Sequence, residues 1–123
     1  MREITTHRVD GLNEALTLHA MDEPGAGGAC HHYRVQMQRG ASAFFANWHV
    51  QFQEGFLHAS GVNGVSNEVL LAIVRDRLEG FQSGNNACQE NADALECVKM
   101  AMDWLLSRTM DRVQRGVEDT PQV

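Results

Sequence analysis

The sequence predicts an α+β fold, an N-terminal antiparallel β-sheet followed by two long α-helices that oligomerise through the helices. Three observations predict it. In the first half apolar residues alternate singly, Phe44, Ala46, Trp48, Val50 and Phe52 against Phe45, Asn47, His49 and Gln51, the period of a strand with one buried face. After residue 61 the apolar spacing changes to three and four, the period of an amphipathic helix. From Ala87 to Arg115 no Gly or Pro interrupts the helical pattern, so the second helix is long. The chain reads as a single domain over 1–123, with a sheet half at 1–60 and a helical half at 61–123.

In chain order, 2–10 and 14–22 read as short strands separated by Gly11 and Asn13. "EPGAGG" (23–28) reads as a loop, since Pro24 and three glycines deny regular structure. Strands over 29–37 and 41–53 flank "QRG", where Gly40 can supply a positive φ for a hairpin. That makes four or five strands. "GVNGVSN" (61–67) is a turn; Ser66 can cap the first helix and Glu68 suits its positive end. Val69, Leu70, Ile73, Val74, Leu78 and Phe81 form its apolar stripe, and Gly84 marks its stop. In the second helix Leu95, Val98, Met102, Leu105 and Val113 form the stripe, widened by Ala94, Ala101 and Trp104. Such a helix is roughly 43 Å long, whereas a globule of this size is only about 27 Å across. Either it bends or its far end packs on another protomer; the second is expected, in at least a dimer. "EDTPQV" reads as a short polar tail.

Ten Lys and Arg stand against 16 Asp and Glu, a formal net charge of −6, which argues against a general binder of nucleic acid polymers. A small anion held in one local basic pocket stays compatible with that balance. No stretch has the ~20 apolar residues of a membrane span, and "MREITTHRVD" lacks the apolar run of a secretory signal. Cys30, Cys88 and Cys97 form an odd, unpatterned set, expected as reduced thiols in a cytosol.

No enzyme signature stands out. Cys30-His31-His32 is the tempting metal cluster, but adjacent strand residues point to opposite faces, and Cys88 and Cys97 match no zinc spacing. Neither a metal nor a cofactor is expected. "GAGG" precedes a strand rather than a helix, so it makes no phosphate cradle. No nucleophile with a positioned base is visible, and no catalytic residue is expected. What remains is the group Arg108, Arg112 and Arg115 at helical spacings of four and three. Asp111 can pair with Arg108 and Arg115, which would make this a solvated helix end; alternatively the arginines fork onto phosphate oxygens. Phe81, beside a glycine-bearing loop, can stack on a base or pack in the core. Asn91, early in the second helix, can reach a ligand or serve as a local cap.

"GVNGVSNEVLLAIVRDRLEGFQSG" followed by "ACQENADALECVKMAMDWLLSRTMDRVQRGVEDT" resembles the first described Thoeris anti-defence family of phage proteins. These are sponges for the cyclic ADP-ribose isomers made by bacterial TIR-domain enzymes. The shared features are "VNGV.NE.LLAIV.DRL..FQ", "ENA.AL" and "WL..RT.DR..RGVE.T", about half the chain. "ENADALECVKMAMDWL" is also similar to the helices of anti-CBASS sponges, which capture cyclic di- and trinucleotides. The resemblance implies non-catalytic sequestration in the cytoplasm of the infected host. It also implies dimers that can assemble into hexamers and pockets for glycocyclic ADP-ribose at a protomer interface. Some members bind cyclic trinucleotides at a separate site. Carried over by motif, the ligand-binding residues are Phe81, Asn91, Arg108 and Arg112. Asn85-Asn86 departs from a Pro-Phe common among relatives. An enzyme that cleaves the same nucleotide is the alternative. Asn91 and Arg108 are seventeen residues apart, about 25 Å along one helix, so one small ligand can touch both only if they come from two chains.

Overall fold

The computed structural model describes residues 1–39, 43–85, 87–114 and 116. The chain divides into two compact units, Met1–Val65 and Ser66–Val123.

The first unit is a four-stranded antiparallel sheet in the order β1 (Arg2–Ile4), β2 (Leu16–Ala20), β3 (His32–Arg39) and β4 (Ala43–Gln51). The expected architecture of sheet followed by helices is present, and four strands are formed. Register sorts the side chains by chemistry. Ile4, Leu18, Val35 and Trp48 stand opposite one another in one row, and Leu16, Met37 and Ala46 in another on the same face. Glu3, His19, Arg34 and His49 make a row on the reverse face. Apolar on one side and polar on the other is what strict period-two patterning produces. The register shifts once, between Met37 and Gln38, leaving one extra β4 residue between Phe44 and Ala46; this bulge interrupts the single alternation read across 44–52. The proposed hairpin glycine, Gly40, lies outside the described residues.

Both N-terminal strands are shorter than expected. Only Arg2–Ile4 of 2–10 is strand, and Gly11–Glu14 forms one helical turn, α1. Asp10 is the cause: its Oδ1 accepts the backbone N–H of Asn13 at 2.8 Å, offering the chain a capped turn in place of sheet pairing. The 23–28 loop includes a 3-10 turn at Ala26–Gly28. It is tied down by Asp22, whose carboxylate accepts the N–H groups of His31 (2.9 Å) and His32 (3.2 Å). The His31 N–H, assisted by that of His32, lowers the Asp22 pKa from its ordinary 3.8, although burial opposes the shift.

A second short helix, α2 (Leu57–Ser60), precedes the return of the chain to the sheet. There Val65 pairs in parallel with Phe52, donating its N–H to Gln51 O and accepting that of Gln53. Gly64 permits this approach: a Cβ there would collide with the backbone of Gln51, Phe52 and Gln53.

The second unit is a helical hairpin of α3 (Asn67–Gln82) and α4 (Gln89–Gln114). Ser66 caps α3 as expected, its Oγ accepting the Val69 N–H at 3.2 Å. Gln82 Oε1 accepts the Cys88 N–H at 3.0 Å and Cys88 Sγ that of Asn91 at 3.5 Å, which ties the connection to the start of α4. The helices pack antiparallel, the first half of α3 against the second half of α4. With 26 residues, α4 is about 39 Å long, about 15 Å longer than the 16-residue α3. Leu95 is buried, and Val98, Met102 and Leu105 are half-buried, so these four of the predicted α4 stripe point into the hairpin, whereas Val113 is 42% exposed. Trp104 does not point inward either; it is 72% exposed. The α3 stripe divides likewise, with Leu70 and Leu78 half-buried but Val69, Ile73 and Val74 exposed.

Candidate ligand-binding site

The four sequence-derived candidates all lie on the helical hairpin, at its two opposite ends. Phe81 occupies the last turn of α3, where capping by Ser83 closes the helix through bonds to Glu79 O and Gly80 O. Its ring is 38% exposed, and the Arg77 guanidinium lies 5.4 Å from the ring centroid. A partly exposed aromatic ring is chemically suited to stacking with a base. Asn91 is in the first turn of α4, half-buried, so these two residues share the connection end.

Arg108 and Arg112 are on the final turns of α4, one turn apart and therefore on neighbouring parts of one face. Arg108 is exposed and has no ion pair among the described residues; Arg112 is half-buried. Arg115 lies outside the described residues. Thr109, between them, turns its Oγ1 back to Leu105 O at 3.1 Å. Because α4 is unbroken from Gln89 to Gln114, Asn91 and Arg108 stand about 25 Å apart by helical rise. One chain therefore carries Phe81 and Asn91 at one end of the hairpin and Arg108 and Arg112 at the other.

A groove of about 390 Å³ runs between the helices, lined by Glu68 and Arg75 of α3 and Met102, Asp103, Leu106 and Thr109 of α4. Arg75 is engaged by Glu79 at 3.3 Å. With Glu68 and Asp103 on its walls and Arg75 engaged by Glu79, the groove is poorly suited to an anion.

Sequence reasoning assigned Trp104 to the helix stripe and so missed it. Met100, Trp104 and Arg108 follow at intervals of four along the outer face of α4, and Met100 is 57% exposed. A flat indole next to a guanidinium that has no ion pair among the described residues suits either a planar ligand or a partner helix. The usable signal was phase: Trp104 lies roughly 180° round the helix from Leu95 and about 160° from Met102, at about 100° per residue.

No family model matches the chain. Over 71 residues, however, it is 48% identical to Thoeris anti-defense 1 of Bacillus phage SBSphiJ7. Along those residues the chain is similar to Thoeris anti-defense 1. The match covers 58% of this chain and 50% of that protein, so the chain spans about half the length of this curated relative. The 71 matched residues are more than either helix of the hairpin supplies alone.

Proposed function

We propose that this chain is a phage anti-defence protein that binds and sequesters a cyclic ADP-ribose-type immune nucleotide without cleaving it, in the cytoplasm of the infected host. The observation that carries the reading is the 48% identity over 71 residues to Thoeris anti-defense 1. In the proposed mechanism two protomers pair with their α4 helices antiparallel. The Phe81–Asn91 end of one chain then meets the Arg108–Arg112 end of the other, making two symmetric pockets. The 25 Å separation along α4 and the exposed Met100 and Trp104 support such pairing. In each pocket Phe81 stacks on adenine, Asn91 hydrogen-bonds a ribose or phosphate, and the arginines neutralise the pyrophosphate. Stacking on an aromatic contributes ~1–3 kcal/mol per base, and a charge-assisted hydrogen bond about 1.5–3 kcal/mol. Together these reach nanomolar affinity where ordering costs are small. Glycocyclic ADP-ribose is the proposed ligand, with cyclic di- and trinucleotides as further candidates.

The decisive experiment incubates the protein with a cyclic ADP-ribose isomer, removes free ligand, heat-denatures the protein and analyses the supernatant. Intact cyclic nucleotide supports sequestration. Linear product identifies a hydrolase instead, and an empty supernatant removes this class of ligand.

A further inference from the structure

The polar face of the sheet holds three histidines that the proposed ligand site does not use, in the other unit of the chain. Antiparallel register sets His32 opposite Gln51 and His49 opposite Arg34, so the two histidines are diagonal neighbours on adjacent strands. Diagonal residues of a pair are close enough for long or ring side chains to touch. Here they do: His32 Nε2 and His49 Nδ1 are 2.8 Å apart, with ring centroids at 5.0 Å and planes tilted by 33°. The pair is reachable by water, His49 being exposed and His32 half-buried.

We infer that His32 and His49 form a two-histidine site for a divalent copper or nickel ion. The two nitrogens are close enough to reach one ion. With metal–nitrogen bonds of about 2.0 Å, two donors at a right angle are about 2.8 Å apart, whereas two donors at the tetrahedral angle are about 3.3 Å apart. The 2.8 Å between the free rings is a hydrogen-bond spacing; with a small ring rotation the same spacing fits cis positions in a square or octahedral field, which Cu²⁺ and Ni²⁺ prefer and Zn²⁺ does not. Neutral imidazole suits both ions, and Cu²⁺ binds more tightly by the general order of divalent affinities.

In the metal-free pair one ring nitrogen donates a proton to the other. On binding, that ring moves its proton to its second nitrogen. His32 then ligates through Nε2 and His49 through Nδ1, both neutral, with no net proton released. The nearby cation is drawn aside: an Arg34 terminal nitrogen lies 3.5 Å from His19 Nδ1 and 3.7 Å from Met1 Sδ, on the β2 side of β3. Among the described residues no set of three or more His, Cys, Asp or Glu gathers for a metal. The protein thus supplies two ligands and water the rest, which leaves exchangeable positions on the ion.

The test titrates the full chain with CuCl2 and NiCl2 in a non-coordinating buffer at pH 7.5. It follows Cu²⁺ by electron paramagnetic resonance and, in the unaltered protein, Ni²⁺ by broadening of the imidazole NMR signals. The expected result is one saturable equivalent at micromolar metal with coupling to two nitrogens, and broadening centred on His32 and His49. His32→Gln and His49→Gln should each weaken binding at least tenfold and leave one-nitrogen coupling, while His58→Gln should change nothing. Binding that survives both substitutions overturns the inference. So does broadening centred on His7 or His58, or the lack of saturable binding. The NMR arm decides even if a variant misfolds.

Discussion

At the residue scale the basic end of α4 is separable from the fold. Arg108 is exposed without an ion pair among the described residues, so Arg108→Glu removes no contact that holds the hairpin. It should lower affinity for the cyclic nucleotide at least a hundredfold while moving the melting temperature by no more than a few degrees; calorimetry and a thermal melt on one sample check both. An unchanged affinity would remove the basic pocket. Asp22 behaves oppositely, acting on the fold and not on the ligand. Its folded pKa is depressed by the His31 and His32 N–H groups, so its stabilising effect is present above the ordinary 3.8 and is lost as pH falls through the lower folded value. Asp22→Asn should therefore reduce the melting temperature at pH 7, and the gap from wild type should close on acidification below pH 3.8. Melts across pH, read for both proteins, test the sign. The arginines were legible as a group from spacing alone, since four and three are helical neighbours. Asp22 was not legible, because its partners lie nine and ten residues away and meet it only through a loop.

At the scale of elements, the helices were more legible than the strands. Ser66, Glu68 and the apolar repeat all lie within one local stretch, and a helix forms its bonds locally. Ser66→Ala should cost about 1 kcal/mol, the usual loss of an N-cap, measured by denaturant unfolding. A strand depends on a distant partner, so reading 2–10 as a strand overlooked a local competitor, the Asp10 cap of Gly11–Glu14. The return of 64–65 to β4 is a second non-local feature. Gly64→Ala should destabilise the protein by more than an ordinary surface change, over about 1 kcal/mol, because the added methyl meets backbone that cannot rotate away. A neutral effect would show that the Phe52–Val65 bridge is dispensable.

At the scale of the whole molecule, burial is thin. Among the described residues the buried apolar set is Ala20, Cys30 and Leu95, and no large side chain is fully buried. Trp48 is 49% exposed on the apolar face of the sheet, and Met100 and Trp104 are exposed on α4. A folded chain gains its stability from apolar area removed from water, so exposed aromatics in this number favour the proposed assembly. Complementation tests it. A chain with Phe81→Ala and Asn91→Ala, and another with Arg108→Glu and Arg112→Glu, should each fail to bind alone. Mixed after partial unfolding, they should regain about a quarter of wild-type sites, because half of the random dimers are mixed and each mixed dimer holds one intact pocket. No recovery would place the halves of the site elsewhere.

What the sequence by itself determined is what depends on near neighbours: the capped and phased helices, the alternating strands, the acidic balance and the grouped arginines. Tertiary structure alone decided which apolar residues of those helices face the hairpin and which, like Trp104, face out, since phase becomes burial only when a neighbour is present. It also decided the meeting of His32 with His49 across seventeen residues. Local spacing carries no record of strand register, and register is set by pairing along the whole sheet.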